Sequence, residues 1–377
     1  MVGTELSEPG ADPGGIGTLG AGSDAEAVAM WIHARGGRSV NTNRVYNRVG
    51  TRLLVWLKER GLSLGSMTVA DAQAHMDALR RPRAEWLIPQ DQHGGVRIDP
   101  ARPVKQSLKA PMSDKGISYS RTVLNQLFNY LRDAGYVRRN VFALTQIPPV
   151  VNVDVADTVL TPQARAYLWE WLVEHDGGRN DAERFAAARD RWVFALLYFT
   201  GLRPAEAVGG LMRHFALAGD GWELRVVGKG AKLRRTTVNA PLSSELLRFR
   251  GALGLVGWPT PSDNTPLVPS LRRGVDGTRL PIGVRMLHKL VERFGAAAAR
   301  ECGDEQIAVQ LRQLSPYWCR HTGGTDRLRA GARLETVQQE YGHADPKTTL
   351  IYARISDKAR REDAERFGQA TKREDEA

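Results

Sequence analysis

The sequence predicts a mainly α-helical fold with one small antiparallel β-hairpin or sheet, divided into two domains. Over most of the chain, apolar residues recur at intervals of three and four, which is the spacing of amphipathic helices. The interval changes to two only at residues 222–241, where the turn GKGAK separates two short runs. The paired prolines Pro148 and Pro149 oppose helix and therefore predict an extended connection between the domains.

The bulk composition indicates a folded protein with a polyanionic partner. A chain of 377 residues with 42% hydrophobic content is long enough for two domains with their own cores. Its formal net charge of +11 and its pI of about 9.9 favour binding to nucleic acid or an anionic membrane surface. No apolar run approaches the ~20 residues that span a bilayer. The first residues show no secretory signal, so we expect a cytoplasmic protein.

The cysteines and histidines do not favour a disulfide framework or a metal site. Only two cysteines are present, Cys302 and Cys319, and we expect both to be small core residues. The eight histidines are scattered without a metal-binding spacing.

The N-terminal part of the chain predicts a tail, a helical domain and a linker. Residues 1–24 are rich in Gly, Ala, Asp and Ser with almost no large apolar side chains, and they are expected to be disordered. Helical spacing then predicts a helical domain over residues 25–145, interrupted by a long basic segment at residues 80–116 that could bind DNA or be disordered. Residues 146–160 are expected to form the linker.

Residues 161–356 predict the second domain. Thr161 and Pro162 form an N-cap followed by proline at the first helical position. Further helices are expected from about residue 181 to 199 and from 282 to 299, with a Gly- and Pro-rich connection at 257–281. Residues 357–377 are expected to form a C-terminal tail that contains a short helix.

Four residues suited to phosphate chemistry lie in a short interval, residues 314–356. They are Arg320, His321, His343 and Tyr352. Arginine binds phosphate with two parallel hydrogen bonds and stays charged. A tyrosine attacks through its phenolate, which nearby positive charge stabilises. The pattern therefore indicates transfer at a phosphate with a tyrosine nucleophile.

Four sequence blocks carry a resemblance to a known family. They are TGLRPAE (200–206), VVGKGAKLRRTTV (226–238), SPYWCRHT (315–322) and YGHADPKTTLIYARIS (341–356). In their order and spacing they resemble the tyrosine site-specific recombinases of the phage integrase group. The resemblance extends over roughly residues 160–356, the catalytic domain of that family, and makes residues 25–145 the counterpart of its helical core-binding domain.

The resemblance implies a role for each matching residue of the first two blocks. Arg203 becomes one arginine of the phosphate clamp, with Glu206 as its structural support. Lys229, at the tip of the hairpin, becomes the general acid that protonates the leaving 5′ oxygen. The remaining cations of the hairpin are expected to contact the DNA backbone, and they are Lys232, Arg234 and Arg235. Among them, Lys232 is the second choice for the acid.

The last two blocks supply the rest of the implied site. Arg320 matches the second clamp arginine, and His321 the adjoining helper histidine. Tyr317 stands where the family usually has histidine; its phenol can donate to the phosphate but is a poor proton shuttle, and the residue could also be a packed aromatic. His343 matches the histidine that bonds the phosphate or assists the nucleophile. Tyr352 matches the nucleophile, for which Tyr317 and Tyr341 are weaker rivals.

The resemblance implies an enzyme that cuts and rejoins double-stranded DNA through a 3′-phosphotyrosyl intermediate, with no metal or ATP. It further implies a homotetramer on two recombination sites, which could require accessory DNA-bending proteins, and no membrane partner. The C-terminal tail would pack on a neighbouring protomer or remain frayed. The alternatives are a DNA-relaxing enzyme of the type IB topoisomerase or telomere-resolvase kind, and a catalytically inactive DNA-binding accessory protein.

Overall fold

The computed structural model describes residues 19–36, 40–87, 108, 110–147, 158–228 and 232–342. The chain divides into two compact units, Met1–Asn152 and Val153–Ala377. The division falls inside the segment for which the sequence predicts a linker. The predicted C-terminal tail lies outside the described residues.

The first unit is helical. Its elements are α1 (Asp24–Gly36), α2 (Val40–Arg60), α3 (Val69–Arg80) and α4 (Asp114–Asp133), with short 3-10 turns at Ala84–Trp86 and Val141–Leu144. Large side chains from several of these elements are fully buried in one core, among them Trp31, Trp56, Leu53, Phe128 and Phe142. The helical pattern of the sequence is therefore explained by one continuous core.

The described part of this unit begins at residue 19, inside the segment for which the sequence predicts a disordered tail. Leu19 is buried in the core, and Asp24 opens α1. The carboxylate of Asp24 accepts hydrogen bonds from the Leu64 amide at 2.8 Å and the Tyr136 hydroxyl at 2.9 Å. A disordered tail that extends to residue 24 is thus wrong at its end, because one leucine and one acid suffice to attach residues 19–24.

The basic segment at residues 80–116 is attached to the unit at both of its ends. Trp86 is buried and its indole N–H donates to Glu59 at 3.2 Å. Leu87 forms a bridge with Leu108. Residues 88–107 and 109 lie outside the described residues, so DNA binding by this segment stays a prediction.

The second unit combines eight helices with five strands in its described part. The helices are α5 (Pro162–Glu174), α6 (Asp181–Thr200), α7 (Pro204–Gly209), α8 (Ala240–Ala252), α9 (Val284–Glu301), α10 (Glu305–Arg312), α11 (Pro316–Arg329) and α12 (Leu334–Tyr341). The strands are β1 (Phe215–Ala218), β2 (Gly221–Val227), β3 (Leu233–Thr237), β4 (Pro269–Arg273) and β5 (Arg279–Pro281). The mainly α fold with small antiparallel sheets is confirmed.

The β-structure is more extensive than the predicted hairpin. Strands β2 and β3 form that hairpin, and β1 adds a third antiparallel strand. Strands β4 and β5 form a second hairpin within residues 257–281, where the sequence predicts only a connection. That prediction is wrong because β4 and β5 are too short, at five and three residues, to show a period of two. Helix α8 was not predicted either.

Helix α6 is central to the second unit. Trp192, Leu196 and Leu197 are fully buried, and the indole N–H of Trp192 donates to the Leu267 carbonyl at 2.7 Å. Helix α6 ends at Gly201, whose φ of +59° lies in the left-handed region that favours glycine. Within the described part of the chain, no helix has the length and apolar character to cross a membrane.

Candidate active site

The structure describes eight of the eleven predicted site residues. They are Arg203, Glu206, Lys232, Arg234, Arg235, Tyr317, Arg320 and His321. Lys229, His343 and Tyr352 lie outside the described residues, and their roles remain predictions.

Arg203 is positioned by the turn between α6 and α7. It is the N-cap of α7, where its amide donates to Glu206 Oε2 at 2.7 Å. Its Nη1 donates to Glu206 Oε1 at 3.0 Å, and its Nη2 donates to the carbonyl of Gly342 at 3.0 Å. One third of the side chain (33%) remains exposed. Arg203 is therefore held from two sides while part of its guanidinium stays accessible.

Arg320 approaches the same place from α11. Its buried guanidinium donates through Nη1 to the Gly201 carbonyl and through Nη2 to the Tyr341 carbonyl, the latter at 2.9 Å. It also lies 4.6 Å from the centre of the Tyr341 ring. Arg203 and Arg320 thus bind the consecutive carbonyls of Gly342 and Tyr341. The two predicted clamp arginines, 117 positions apart by their residue numbers, meet at the residues that precede His343.

Glu206 is shared between two arginines. Its buried carboxylate lies 3.0 Å from Arg203 Nη1 and 2.9 Å from Arg234 Nη2. A Cβ atom on Gly228 would lie 3.5 Å from Glu206 Oε1, so the end of β2 also approaches this carboxylate. The Gly228 amide donates to the Lys232 carbonyl at 2.9 Å and closes the base of the hairpin between β2 and β3. The predicted structural support of Arg203 by Glu206 thus has a geometric basis.

Arg234 differs from the role predicted for it. It is only 9% exposed, and its Nε donates to the Glu340 carbonyl at 2.7 Å. Burial lowers its pKa, the ion pair with Glu206 opposes that change, and the neighbouring Arg320 and Arg203 add to it. Because side chains alternate along a strand, Arg234 and Thr236 face inward and Arg235 faces outward. The predicted contact of Arg234 with the DNA backbone is therefore wrong in this structure, because the side chain is buried and binds groups inside the protein.

The other two hairpin cations lie at the surface. Lys232 is exposed, and the Arg235 side chain is two-thirds exposed with its Nη1 3.7 Å from a carboxylate oxygen of Glu223. Both are placed where a backbone phosphate could reach them, and the predicted DNA contact stays open for both.

Tyr317 and His321 belong to a row of three rings. The Tyr317 side chain, in the first turn of α11, is 47% exposed, and its ring centre lies 6.4 Å from that of His321. The ring centre of His288, in α9, lies 6.1 Å from that of Tyr317. His288 was not predicted, because its place in an amphipathic helix gives no sign that it meets a residue of another helix.

His321 is neutral at pH 7. Burial, with a further contribution from Arg320, lowers its pKa to about 4. A neutral imidazole of this kind can still donate or accept a hydrogen bond. This agrees with the helper role that the resemblance implies.

Tyr341 is a packing residue in this structure. It is fully buried against Gly201 and Gly323. Of the two rival nucleophiles, Tyr341 is inaccessible to a phosphate in solvent, and only Tyr317 is exposed.

The assembled site is suited to anions. Arg203 and Arg234 pair with the carboxylate of Glu206, and the charge of Arg320 acts on Arg234, so three arginines lie near a single paired carboxylate. Arginine side chains arranged in this way stabilise negative charge at a phosphate. In the described ranges, no group of three His, Cys, Asp or Glu side chains is placed to hold a metal ion.

Comparisons with known proteins agree with this chemistry. The model of the phage integrase family matches residues 179–359. A tyrosine recombinase XerC of Pseudomonas entomophila is 26% identical over 334 residues, which cover 88% of this chain and 92% of that protein. A tyrosine recombinase XerC of Bradyrhizobium diazoefficiens is 30% identical over 176 residues, 47% of this chain and 49% of the relative. The chain thus spans about half the length of the latter relative and nearly all of the former.

A solved structure shows the same fold. The Tn1549 transposon integrase in complex with a circular intermediate DNA superposes with a TM-score of 0.61 at 15% identity, over 92% of this chain and 99% of that one. The family match covers the residues that form the arginine cluster, and the fold match covers both units. Residues 179–359 thus match the phage integrase family, and the chain is similar to tyrosine site-specific recombinases over most of its length.

Proposed function

We propose that this chain is an active DNA strand transferase that cuts and rejoins double-stranded DNA at specific sites, with Tyr352 as its nucleophile. The observation that carries the proposal is the convergence of Arg203 and Arg320 on the consecutive carbonyls of Gly342 and Tyr341. The next residue in the chain is His343, and Tyr352 follows nine positions later. The anion-binding cluster therefore adjoins the segment that carries the predicted nucleophile.

The reaction assigns one step to each group. The Tyr352 phenolate oxygen attacks the scissile phosphorus and forms a 3′-phosphotyrosyl bond, while the bond from phosphorus to the 5′ oxygen breaks. Lys229 gives its proton to that 5′ oxygen. Arg203, Arg320 and His343 stabilise the charge that develops on the non-bridging oxygens. A 5′ hydroxyl of the partner strand then reverses the step and releases Tyr352.

The exchange conserves the number of phosphoester bonds. One phosphoester is broken for each one formed, so the free energy of the original bond is retained in the phosphotyrosine. The proposed cycle accordingly needs no ATP, and the arginines, rather than a metal ion, supply its charge stabilisation.

The partners follow from charge and from relatives. The net charge of +11 supports DNA as the partner, and the related Tn1549 integrase is described in complex with DNA. We further propose that the first unit is the core-binding domain and that Lys232 and Arg235 contact the DNA backbone. A homotetramer on two sites, packing of residues 357–377 on a neighbouring protomer, accessory DNA-bending proteins and a cytoplasmic location complete the proposal.

Trapping of covalent adducts tests the nucleophile. The purified protein is incubated with DNA that flanks its gene, the reaction is stopped with detergent, and adducts are mapped to single nucleotides. A duplex nicked shortly to the 3′ side of the mapped position, which after cleavage loses the short piece that carries the new 5′ hydroxyl, then accumulates the adduct. We expect adducts with wild type and with Tyr341→Phe, and none with Tyr352→Phe.

Each of the other outcomes contradicts a different part of the proposal. Adducts that persist in Tyr352→Phe overturn the assignment of the nucleophile. Wild-type protein that binds DNA but forms no adduct is the inactive accessory protein. Relaxation of supercoiled plasmids without sequence preference identifies the topoisomerase-like alternative.

A further inference from the structure

Three arginines bind three consecutive backbone carbonyls at the end of α12. The pairs are Arg234 with Glu340 at 2.7 Å, Arg320 with Tyr341 at 2.9 Å, and Arg203 with Gly342 at 3.0 Å. The last carbonyls of a helix lack partners within the helix and carry the negative end of its dipole. Arginines from β3, α11 and the turn before α7 therefore fix the end of α12, directly before the segment that contains His343 and Tyr352.

Arg234 is the member of this set that does not belong to the predicted phosphate clamp. We propose that Arg234 is a positioning residue, which orients Arg203 and the end of α12 for the reaction at the scissile phosphate. The inference rests on the proposed function. Its basis is that Arg234 is buried on the inner face of β3 while it contacts both of the elements that it would orient.

The contact with Arg203 runs through Glu206. Nη2 of Arg234 lies 2.9 Å from Glu206 Oε2, and Nη1 of Arg203 lies 3.0 Å from Glu206 Oε1. One carboxylate oxygen therefore serves each arginine. Because the carboxylate is buried, water does not replace its hydrogen bonds to the two arginines. A displacement of Arg234 therefore also displaces the carboxylate and the guanidinium of Arg203.

The contact with α12 is tight. A Cβ atom on Gly342 would lie 2.8 Å from Arg234 Cδ and 3.7 Å from Arg203 Nη1, and the φ of Gly342 is +63°. The backbone at Gly342 thus passes between the two arginines with room only for glycine. Arg234 therefore packs directly against the backbone of the C-cap of α12.

The arrangement is unfavourable for stability alone. Two guanidinium groups share the carboxylate of Glu206, a third, that of Arg320, interacts unfavourably with Arg234, and among the described residues Nη1 of Arg234 is buried without a hydrogen-bond partner. A buried unpaired donor and repulsion between like charges both oppose folding. A buried arginine at this place is better explained by the site that it orders.

A double-mutant cycle with Arg203 tests the inference. The variants are Arg234→Lys, Arg203→Ala and the combination, and the readout is the single-turnover rate of adduct formation on the nicked duplex at saturating protein. We expect Arg234→Lys to slow the step about 10- to 100-fold, because lysine keeps the charge but cannot reach both partners, and small displacements of a reacting group have effects of that size. We expect the rate loss of the combination to be clearly smaller than the product of the two single losses, because the part of the Arg234 effect that acts through Arg203 is already absent in Arg203→Ala.

Arg250 supplies the matched control. It is also buried, with Nε 2.6 Å from the Gly257 carbonyl and Nη1 2.5 Å from Asp263. Because its partners belong to the turn after α8 and not to the arginine cluster, Arg250→Lys is expected to lower thermal stability without a change in the rate at saturation.

The outcomes separate the inference from the proposed function. Absence of adducts in wild type contradicts the proposed function. Adducts in wild type with an unchanged rate in Arg234→Lys overturn the inference, and so does a combination whose rate losses multiply. Should Arg234→Lys be unfolded at the assay temperature, Glu206→Gln replaces it, since this change keeps the size of the bridging side chain and removes its charge. A Glu206→Gln rate loss that multiplies with that of Arg203→Ala also overturns the inference.

Discussion

The ring of Tyr341 lies directly against the backbone of Gly201. A Cβ atom at residue 201 would stand well under 3.0 Å from three atoms of that ring, and the φ of Gly201 is +59°. Arg320 stacks on the Tyr341 ring at 4.6 Å and donates to the Gly201 carbonyl. The turn that leads to Arg203 and the end of α12 are therefore packed as one body.

Substitution of Gly201 by alanine is expected to destabilise the second unit and to inactivate it. The left-handed backbone costs a non-glycine residue ~1–2 kcal/mol. The clash with Tyr341 adds an overpacking cost of ~1–3 kcal/mol, so we expect a loss of about 3 kcal/mol in the free energy of unfolding. Urea denaturation measures that loss, and adduct formation measures the displacement of Arg203.

Gly219 provides the control that isolates the cost of the left-handed backbone from the cost of overpacking. Its φ is +63°, yet a Cβ atom there meets nothing within 4 Å. Gly219→Ala is expected to cost only ~1–2 kcal/mol and to leave adduct formation intact. Equal losses in the two variants would show that the packing of Tyr341 on Gly201 contributes nothing.

The sequence predicted correctly those helix starts and strands that depend only on residues close together in the chain. Thr161 caps α5, with its hydroxyl oxygen accepting from the Ala164 amide at 3.2 Å, and Pro162 follows at the first helical position. Alternation around Trp222 predicted the hairpin. The fold class followed because such signals agree along most of the chain.

The features that the sequence did not predict depend on contacts between residues that are distant in the chain. Arg234 and Arg235 are adjacent, and only the register of β3 on β2, which pairs Val226 with Arg234, decides which of them faces inward. Similarly, the attachment of Leu19 depends on a core that residues 1–24 do not themselves contain. A single sequence carries no local signal for either arrangement.

His75 makes the stability of the first unit depend on pH. It is fully buried, neither ring nitrogen has a hydrogen-bond partner among the described residues, and its edge meets the ring of Trp56. Burial, with smaller contributions from Arg60 and Arg52, lowers its pKa to about 3. The folded state therefore keeps His75 neutral at a pH where the unfolded chain protonates it.

The sign of the dependence follows from this difference. Below pH ~6.5 the unfolded state binds one more proton, so stability falls as the pH falls, by at most ~1.4 kcal/mol per pH unit, down to about pH 3. His75→Phe removes this contribution. Urea denaturation between pH 7.5 and 5.0 is expected to show a shallower decline for His75→Phe than for wild type.

His33 is the matched control for His75. It lies exposed on α1 of the same unit, so His33→Phe is expected to leave the decline unchanged. A decline of the same steepness in wild type and His75→Phe would contradict the burial of a neutral imidazole at residue 75.

Tyr317 tests what a phenol does where the family usually has histidine. Tyr317→Phe removes only the hydroxyl and retains the ring beside His288 and His321. If the hydroxyl donates to the phosphate, its loss removes one hydrogen bond to a charged group, which corresponds to about a tenfold slower adduct formation, or ~1.4 kcal/mol. Because the side chain is 47% exposed, the free energy of unfolding should change by less than ~0.5 kcal/mol.

Tyr119→Phe, on a similarly exposed (53%) tyrosine of α4, should alter neither the rate of adduct formation nor the free energy of unfolding. Tyr317→His supplies a donor of the kind usual in the family and should keep the wild-type rate within about threefold. A Tyr317→Phe rate equal to wild type, combined with a slow Tyr317→Ala, would instead make residue 317 a packing aromatic, since only the ring would then matter.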